Sequence, residues 1–348
     1  MHSPDFTATL LRTSAPGLSG LTAERLFQES GLALVDDFTA WKSHFQAQIL
    51  QLAAALQAKS RESFCDHVRW IRQGFAARGI TPDVIGCALQ ALRAELADRL
   101  PEHAANTAGD YIDAALAGLS LEPEDEGRLD QSRALDGMAL SYLASLRAGN
   151  EEEAARLVLA PQESGELDAL TLIDQLLIPA MREMGRLWHA GEASVAEEHF
   201  VTLATGKILT RLIAAAPRSA PNGRTAMLTA VAGDQHTFPL QTIAAHFELN
   251  GWRTLGLGGD VPALDLAQAA QYFGAHIVLL GASLDTQLPA VAEAIAALRR
   301  LAPHSRILVG GQAFRHGDVW DRFGADGVAF SGAQALEIAE AWTQSPGR

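Results

Sequence analysis

Ala226-Met-Leu-Thr-Ala-Val-Ala-Gly-Asp-Gln-His-Thr-Phe-Pro239 is the stretch whose reading decides the fold. Residues 226–232 carry no charge and stop at a glycine, the pattern of a buried strand, and the next segment takes up helical spacing. Similar short apolar runs follow at 254–257, 277–280, 307–309 and 327–330, separated by helical stretches such as 291–301. Strands alternating with helices predict a doubly wound, five-stranded parallel sheet over residues 221–348, with ligands bound outside the strands' carboxyl ends. Asp234 and His236 then stand at the ligand-binding end of the first strand.

Upstream, four helical segments are expected over 131–220, broken at Gly149-Asn150, at 161–165 and at Gly191. Ser194 precedes Glu197 by three residues, the spacing of a capping box that starts the fourth helix at Val195. Short connections favour antiparallel neighbours, hence a four-helix bundle. Residues 1–120 read as an all-helical sensory or dimerisation domain, with apolar residues at helical spacing in Phe45, Ile49, Leu52, Leu56 and in Val84, Ile85, Leu89, Leu92, Leu96. The acidic stretch with Pro123 and Gly127 makes 121–130 the expected linker.

A net charge of −14 and a pI near 5.2 argue against a dominant phosphate-binding surface. The N-terminal region has no helix-turn-helix pattern followed by a basic wing, so direct DNA binding is not expected. Neither a membrane-spanning run nor a signal peptide is evident, and Cys65 and Cys87 lack zinc-site spacing; a cytoplasmic protein is expected.

An imidazole at a strand end can ligate a transition metal, and Asp234, two residues earlier, can hold its other ring nitrogen. An isolated Asp-x-His equally describes a solvated loop. The wider pattern resembles the corrinoid-binding family, whose Rossmann-like domains carry Asp-x-His-x-x-Gly, Ser-x-Leu and Gly-Gly at set distances. Here 41 residues separate Pro239 from Gly281, and 26 separate Ser283 from Gly310. Gly258-Gly259 resembles the loop under the corrin ring, and Gly310-Gly311 the glycine pair beside the nucleotide tail. Pro239 replaces the motif glycine and Gly281 the usual serine, for which Ser283 could substitute.

Trp188, nine intervening residues and then Glu198-His199 resemble the cap of adenosylcobalamin-dependent light sensors of the carotenoid-repressor type. Individually, Trp188 could be a bundle-core aromatic, and Glu198 and His199 a solvated helix start. The resemblance implies adenosylcobalamin clamped between bundle and sheet, with His236 as lower cobalt ligand. Trp188 would cover the adenosyl group, and His199 would become a cobalt ligand after illumination. It also implies a homo-oligomer whose contacts change with light, a downstream signalling protein as partner, and no enzymatic activity.

Arg72 to Arg99, with its Arg78-Gly-Ile-Thr-Pro-Asp83 turn, resembles in pattern the globin-like, haem-free sensory domains of stress-signalling proteins; photocobilins join such a region to a cobalamin module and hold biliverdin as a second chromophore. Phe64, Cys65, His67 and Trp70 would then line a tetrapyrrole site, or else simply fill a helical core. A corrinoid carrier of methyl groups for a methyltransferase is the alternative reading of the same fold.

Overall fold

The computed structural model describes residues 4–29, 37–119, 129–130, 132–316 and 319–344. The chain divides into two compact units, residues 1–124 with 315–319, and the remainder. The expected linker, 121–130, lies outside the described residues except for Leu129 and Asp130. Among the described residues no helix is long and apolar enough to cross a membrane.

The first unit is built from α1 (Pro4–Glu29), α2 (Phe38–Ala58), α3 (Arg61–Ala76), α4 (Pro82–Arg99) and α5 (Glu102–Ala117). Helix α1 starts well before Leu18, where the apolar pattern first stands out, and runs through Pro16. Its buried positions Ala8, Leu11, Ala15, Leu18 and Leu26 follow helical spacing and join one core with Phe45, Ile49, Leu52, Leu56 and Leu92. The turn between α3 and α4 is formed as its residues dictate. Gly79 takes a left-handed φ of 78°, Ile80 is buried, and Pro82 opens α4, where its missing N–H costs nothing.

In the second unit α6 (Ala134–Arg147), α7 (Glu151–Glu163), a third helix and α10 (Val195–Ala215) form the four helical segments. Helix α7 contains Pro161 and ends at Ser164-Gly165, so the break lies later than a proline alone implies. The third segment comprises α8 (Ala169–Leu172), a π-helical turn (Ile173–Leu177) and α9 (Ile178–His189). Ser194 caps α10: its Oγ accepts from Glu197 N–H at 3.2 Å, and the Glu197 carboxylate accepts from Ser194 N–H at 2.8 Å. Inside the bundle, the buried Tyr142 hydroxyl donates to Thr205 Oγ1 at 2.8 Å, tying α6 to α10.

The sheet is parallel, in the order β2-β1-β3-β4-β5, with β1 (Thr225–Val231), β2 (Arg253–Val261), β3 (Ile277–Gly281), β4 (Arg306–Gly310) and β5 (Gly327–Ala329). Helices α11 (Phe238–Leu249), α12 (Ala263–Phe273), α13 (Leu288–Leu301), α14 (Val319–Arg322) and α15 (Gly332–Gln344) connect and follow the strands. Strand β2 extends past 254–257 to Val261, pairing irregularly with β1, so Gly258 and Gly259 sit within the strand and not after it. The order reverses between β1 and β3, and this switch point is where such sheets bind ligands.

Helix α11 packs on both layers. Phe238, Ala245 and Leu249 belong to the bundle core, while Leu240 and Phe247 belong to the sheet core. The π-helical turn carries Asp174, whose Oδ1 lies 3.0 Å from Nε2 of the buried His246 on α11, a second tie between bundle and sheet.

At the far edge, Asp326 accepts from Ile307 N–H at 2.7 Å, from Arg299 at 2.8 Å and from Arg306 at 3.1 Å. Burial alone would raise its pKa, but the bonds from Arg299, Ile307 N–H and Arg306 outweigh this and hold the carboxyl below its ordinary value. A depressed carboxylate contributes stability above its unfolded pKa and loses it as pH falls through the folded value. Asp326→Ala should therefore lower the unfolding free energy by about 2 kcal/mol at neutral pH. Urea unfolding should show this deficit shrinking as the pH drops below the ordinary carboxylate range.

Candidate functional site

Asp234 is the anchor of the loop after β1. It is 1% exposed, and its Oδ1 accepts from the His236 backbone N–H at 2.9 Å and from His236 Nδ1 at 2.7 Å. Its Oδ2 accepts from the Ser283 backbone N–H at 2.8 Å, so one carboxylate ties the ends of β1 and β3 together across the switch point. Burial would raise its pKa; the bonds from His236 and Ser283 more than offset this and leave it below the ordinary value. An ionised Asp234 fixes the proton of His236 on Nδ1 and directs the ring. His236 is 64% exposed, and its Nε2 has no protein partner among the described residues. The bond to Asp234 raises the imidazole's pKa, burial opposes this, and the charges of Asp234 and Glu198 add to the rise.

Two residues without any expected role complete this loop cluster. Gln287 accepts from Ser283 N–H at 2.8 Å and donates to Gly233 O at 3.1 Å. Asp260 accepts from Gly233 N–H at 2.7 Å while its own N–H donates to Asp234 O at 2.9 Å, and it holds a left-handed φ of 57°. A Cβ on Gly259 would stand 2.5 Å from Asp234 O, so the glycine is needed for the end of β2 to meet the loop after β1. Thr202, on the bundle side, is a third such residue. The pairs of Gly233 with Asp260 and with Gln287 join residues far apart in the chain, and such pairs leave no periodic trace in the sequence.

The bundle supplies the opposing wall. Glu198 Oε1 accepts from Thr202 Oγ1 at 2.7 Å, its Oε2 lies 2.7 Å from His199 Nδ1, and its charge acts on His236. The face of α10 that meets Gln241 of α11 at Gly206 continues through Leu203, His199 and Val195, all exposed, with His199 at 70%. Trp188 is half-buried at the end of α9, its ring 6.4 Å from that of His189, so it is not a core aromatic. Glu198 and His236 are thus brought to the same space from two layers.

Gly310 and Gly311 have a protein-internal cause. A Cβ on Gly310 would stand 2.5 Å from Ala329 O, and one on Gly311, at φ 106°, would collide with Ala282 O. Neighbouring backbone therefore dictates these glycines in the described structure, before any ligand is considered. Gly258 adopts φ 83° and its carbonyl accepts from Thr229 Oγ1 at 3.1 Å. Ser283 contributes through its backbone N–H, and Leu240 packs where a side chain at Gly281 would begin, 3.4 Å away.

An exposed imidazole with one nitrogen locked by a buried carboxylate suits a metal whose other positions are filled by a macrocycle. A self-contained metal site would need several side chains, and among the described residues no group of three His, Cys, Asp or Glu could hold one. Residues 140–213 and 224–340 both match B12 binding domain families. The bundle and the sheet are B12-binding domains.

Related proteins agree with this assignment. A corrinoid protein of Desulfitobacterium hafniense is 27% identical over 58% of this chain and 97% of its own. The HTH-type transcriptional repressor CarH of Myxococcus xanthus is 29% identical over 43% of this chain, which spans only 50% of that relative. The monomethylamine corrinoid protein of Methanosarcina barkeri shares the fold, with a TM-score of 0.52 and 20% identity over 61% of this chain and all of its own.

His236→Ala should abolish nitrogen ligation of bound cobalt, read as loss of nitrogen splitting in the paramagnetic resonance spectrum of the cobalt(II) form. Asp234→Ala should keep the ligand but weaken corrinoid affinity about 10- to 100-fold, the usual cost of losing such a supporting carboxylate. Unchanged affinity would mean that the ring is oriented by something else.

Proposed function

We propose that the chain is a light sensor that holds adenosylcobalamin between the bundle and the sheet and changes conformation or assembly on illumination. The observation that carries this reading is the polar upper wall: Glu198, bonded to Thr202 and His199, acting on His236 from the opposite layer. When bound, adenosylcobalamin supplies a cobalt–carbon bond that visible light breaks. His236, its ring fixed by Asp234, would hold the cobalt. Trp188 offers a planar apolar surface that excludes water from the upper face. His199 is exposed and, among the described residues, held by a single side-chain hydrogen bond to Glu198, so it is the imidazole free to move when that face opens. Movement of α10 against α11 would then bias a two-state arrangement of bundle and sheet, and with it contacts between copies of the chain or with a downstream signalling protein.

The N-terminal unit is proposed as a second sensory module taking a bilin such as biliverdin. Among the described residues, Trp41 Nε1 and Gln48 Oε1 on α2 and His67 Nε2 on α3 are buried without hydrogen-bond partners, and such atoms call for a ligand or water. Burial lowers the pKa of His44 to about 4; burial, with the neighbouring His44, does the same for His67. Both imidazoles are therefore neutral. Phe64 and Cys65 belong to the packed core, and burial pushes the Cys65 thiol up, which disfavours it as an attachment point. Trp70 is exposed and stacks on His67 at 6.3 Å.

The second reading is a corrinoid carrier of methyl groups. It is favoured by the near full-length match to a corrinoid protein, whereas the light-sensor reading draws on the shorter match to CarH. Protein loaded with adenosylcobalamin in darkness should change its absorption irreversibly under green light and shift its elution on size exclusion. In the His199→Ala variant the illuminated spectrum should differ from wild type; an identical spectrum would remove His199 from the mechanism. A spectrum indifferent to light, together with methyl exchange to a partner enzyme, would select the carrier. Co-expression with a haem oxygenase should give absorption beyond about 600 nm, reduced in His67→Ala.

A further inference from the structure

All strands of the parallel sheet start at one edge, the edge away from His236, and that edge is rich in arginine. The strand starts are joined in a row. Arg253 N–H donates to Arg224 O at 2.8 Å, His276 N–H to Thr225 O at 2.9 Å, and Arg306 N–H to His276 O at 2.9 Å. Neighbouring strands lie about 4.8 Å apart, so the row from β2 to β4 is about 14 Å long. Each arginine in it stands over a ring: Arg224 over Trp252 with Cζ 5.6 Å from the centroid, Arg253 over Phe273 at 6.0 Å, and Arg306 over Trp342 at 5.9 Å. A ring beneath a guanidinium restrains the side chain and leaves its in-plane N–H groups available to an acceptor.

Charge at this edge is unbalanced, in a chain of net charge −14. Arg218 pairs with Glu248, and Arg299 and Arg306 share Asp326. Arg224, Arg253 and Arg300 have no carboxylate partner among the described residues, and Arg253 and Arg300 are exposed. Beside them Tyr272, 82% exposed, meets the ring of Phe273 edge to face at 4.9 Å. Arginine together with accessible aromatic rings is the composition that concentrates binding energy at protein interfaces.

We propose that the amino edge of the sheet is a docking surface for an acidic segment of a partner protein, one that carries an apolar residue to lie against Tyr272. Carboxylates match the planar guanidinium donors in pairs. Glutamates on one face of an extended segment recur about every 7 Å, so a row of about 14 Å engages two or three of them. A nucleic acid fits less well, because its charge continues past the row onto the surface of a chain of net charge −14. His236 follows β1 at the opposite edge, so an occupant of the arginine row leaves that site open.

The test is fluorescence anisotropy of a labelled short peptide of glutamates around one leucine, titrated with the whole chain. The peptide should bind at low salt and weaken as salt rises. Arg224→Glu combined with Arg253→Glu should weaken it about tenfold or more, with an unchanged urea midpoint as the sign of an intact fold. Arg300→Glu, at an exposed position outside the ring stacks, should weaken it about threefold even where the double variant fails to fold. Tyr272→Ala should reduce the affinity for this peptide more than for one of glutamates alone. No binding at low salt, or binding that the arginine variants leave unchanged, would overturn the proposal. Tighter binding of a labelled oligothymidylate would assign the row to nucleic acid. Self-association of the chain that the arginine variants abolish would assign it to a second copy; either result overturns the proposal as well.

Discussion

A buried carboxylate that stays ionised is the constraint on which the rest of the second unit depends. Asp234 is removed from water, and desolvation alone would raise its pKa. It keeps its charge because three N–H groups converge on it: two from His236, ring and backbone, and one from the Ser283 backbone. That single group sets the tautomer of the exposed imidazole, closes the switch point between β1 and β3, and requires the neighbouring loops to approach. Gly259 has no side chain and Asp260 takes a left-handed backbone for the same reason. Removing the charge would therefore disturb the strand ends as well as the ring.

The two walls of the site have different mechanical character. The sheet side is a cross-linked cluster in which backbone N–H groups of the loops after β1 and β3 are satisfied by Asp234, Asp260 and Gln287. The bundle side presents side chains on one helix face, with His199 and Leu203 exposed and Glu198 braced by Thr202 and His199. A rigid lower support and an adjustable upper one suit a ligand whose lower attachment persists while its upper contact changes.

Much of this was legible in the sequence because it is local. The capping box at Ser194 and Glu197, the five apolar runs and the proximity of Asp234 to His236 each depend on residues a few positions apart, and each is found as read. Trp188 with Glu198-His199 is a pattern of neighbouring positions, and the structure adds that the charge of Glu198 contributes to raising the His236 pKa. What escaped is non-local or conformational. The π-helical turn at Ile173–Leu177, the passage of α1 through Pro16 and the continuation of β2 through Gly258 and Gly259 are set by tertiary packing that overrides propensity. The Gly310-Gly311 pair was expected to make room for a ligand. Its immediate cause is the carbonyls of Ala329 and Ala282, a contact no spacing rule reports.

Helix α11 is shared property. Phe238, Ala245 and Leu249 lie in the bundle's core, Leu240 and Phe247 in the sheet's, and its first residue is two positions from His236. Burying each large side chain on either side is worth about 2 kcal/mol, so the helix cannot follow one layer without loosening its grip on the other. It acts as a differential between them. Torque applied at the upper wall reaches the base of the imidazole through one short, doubly anchored axle, and no separate relay of residues is required.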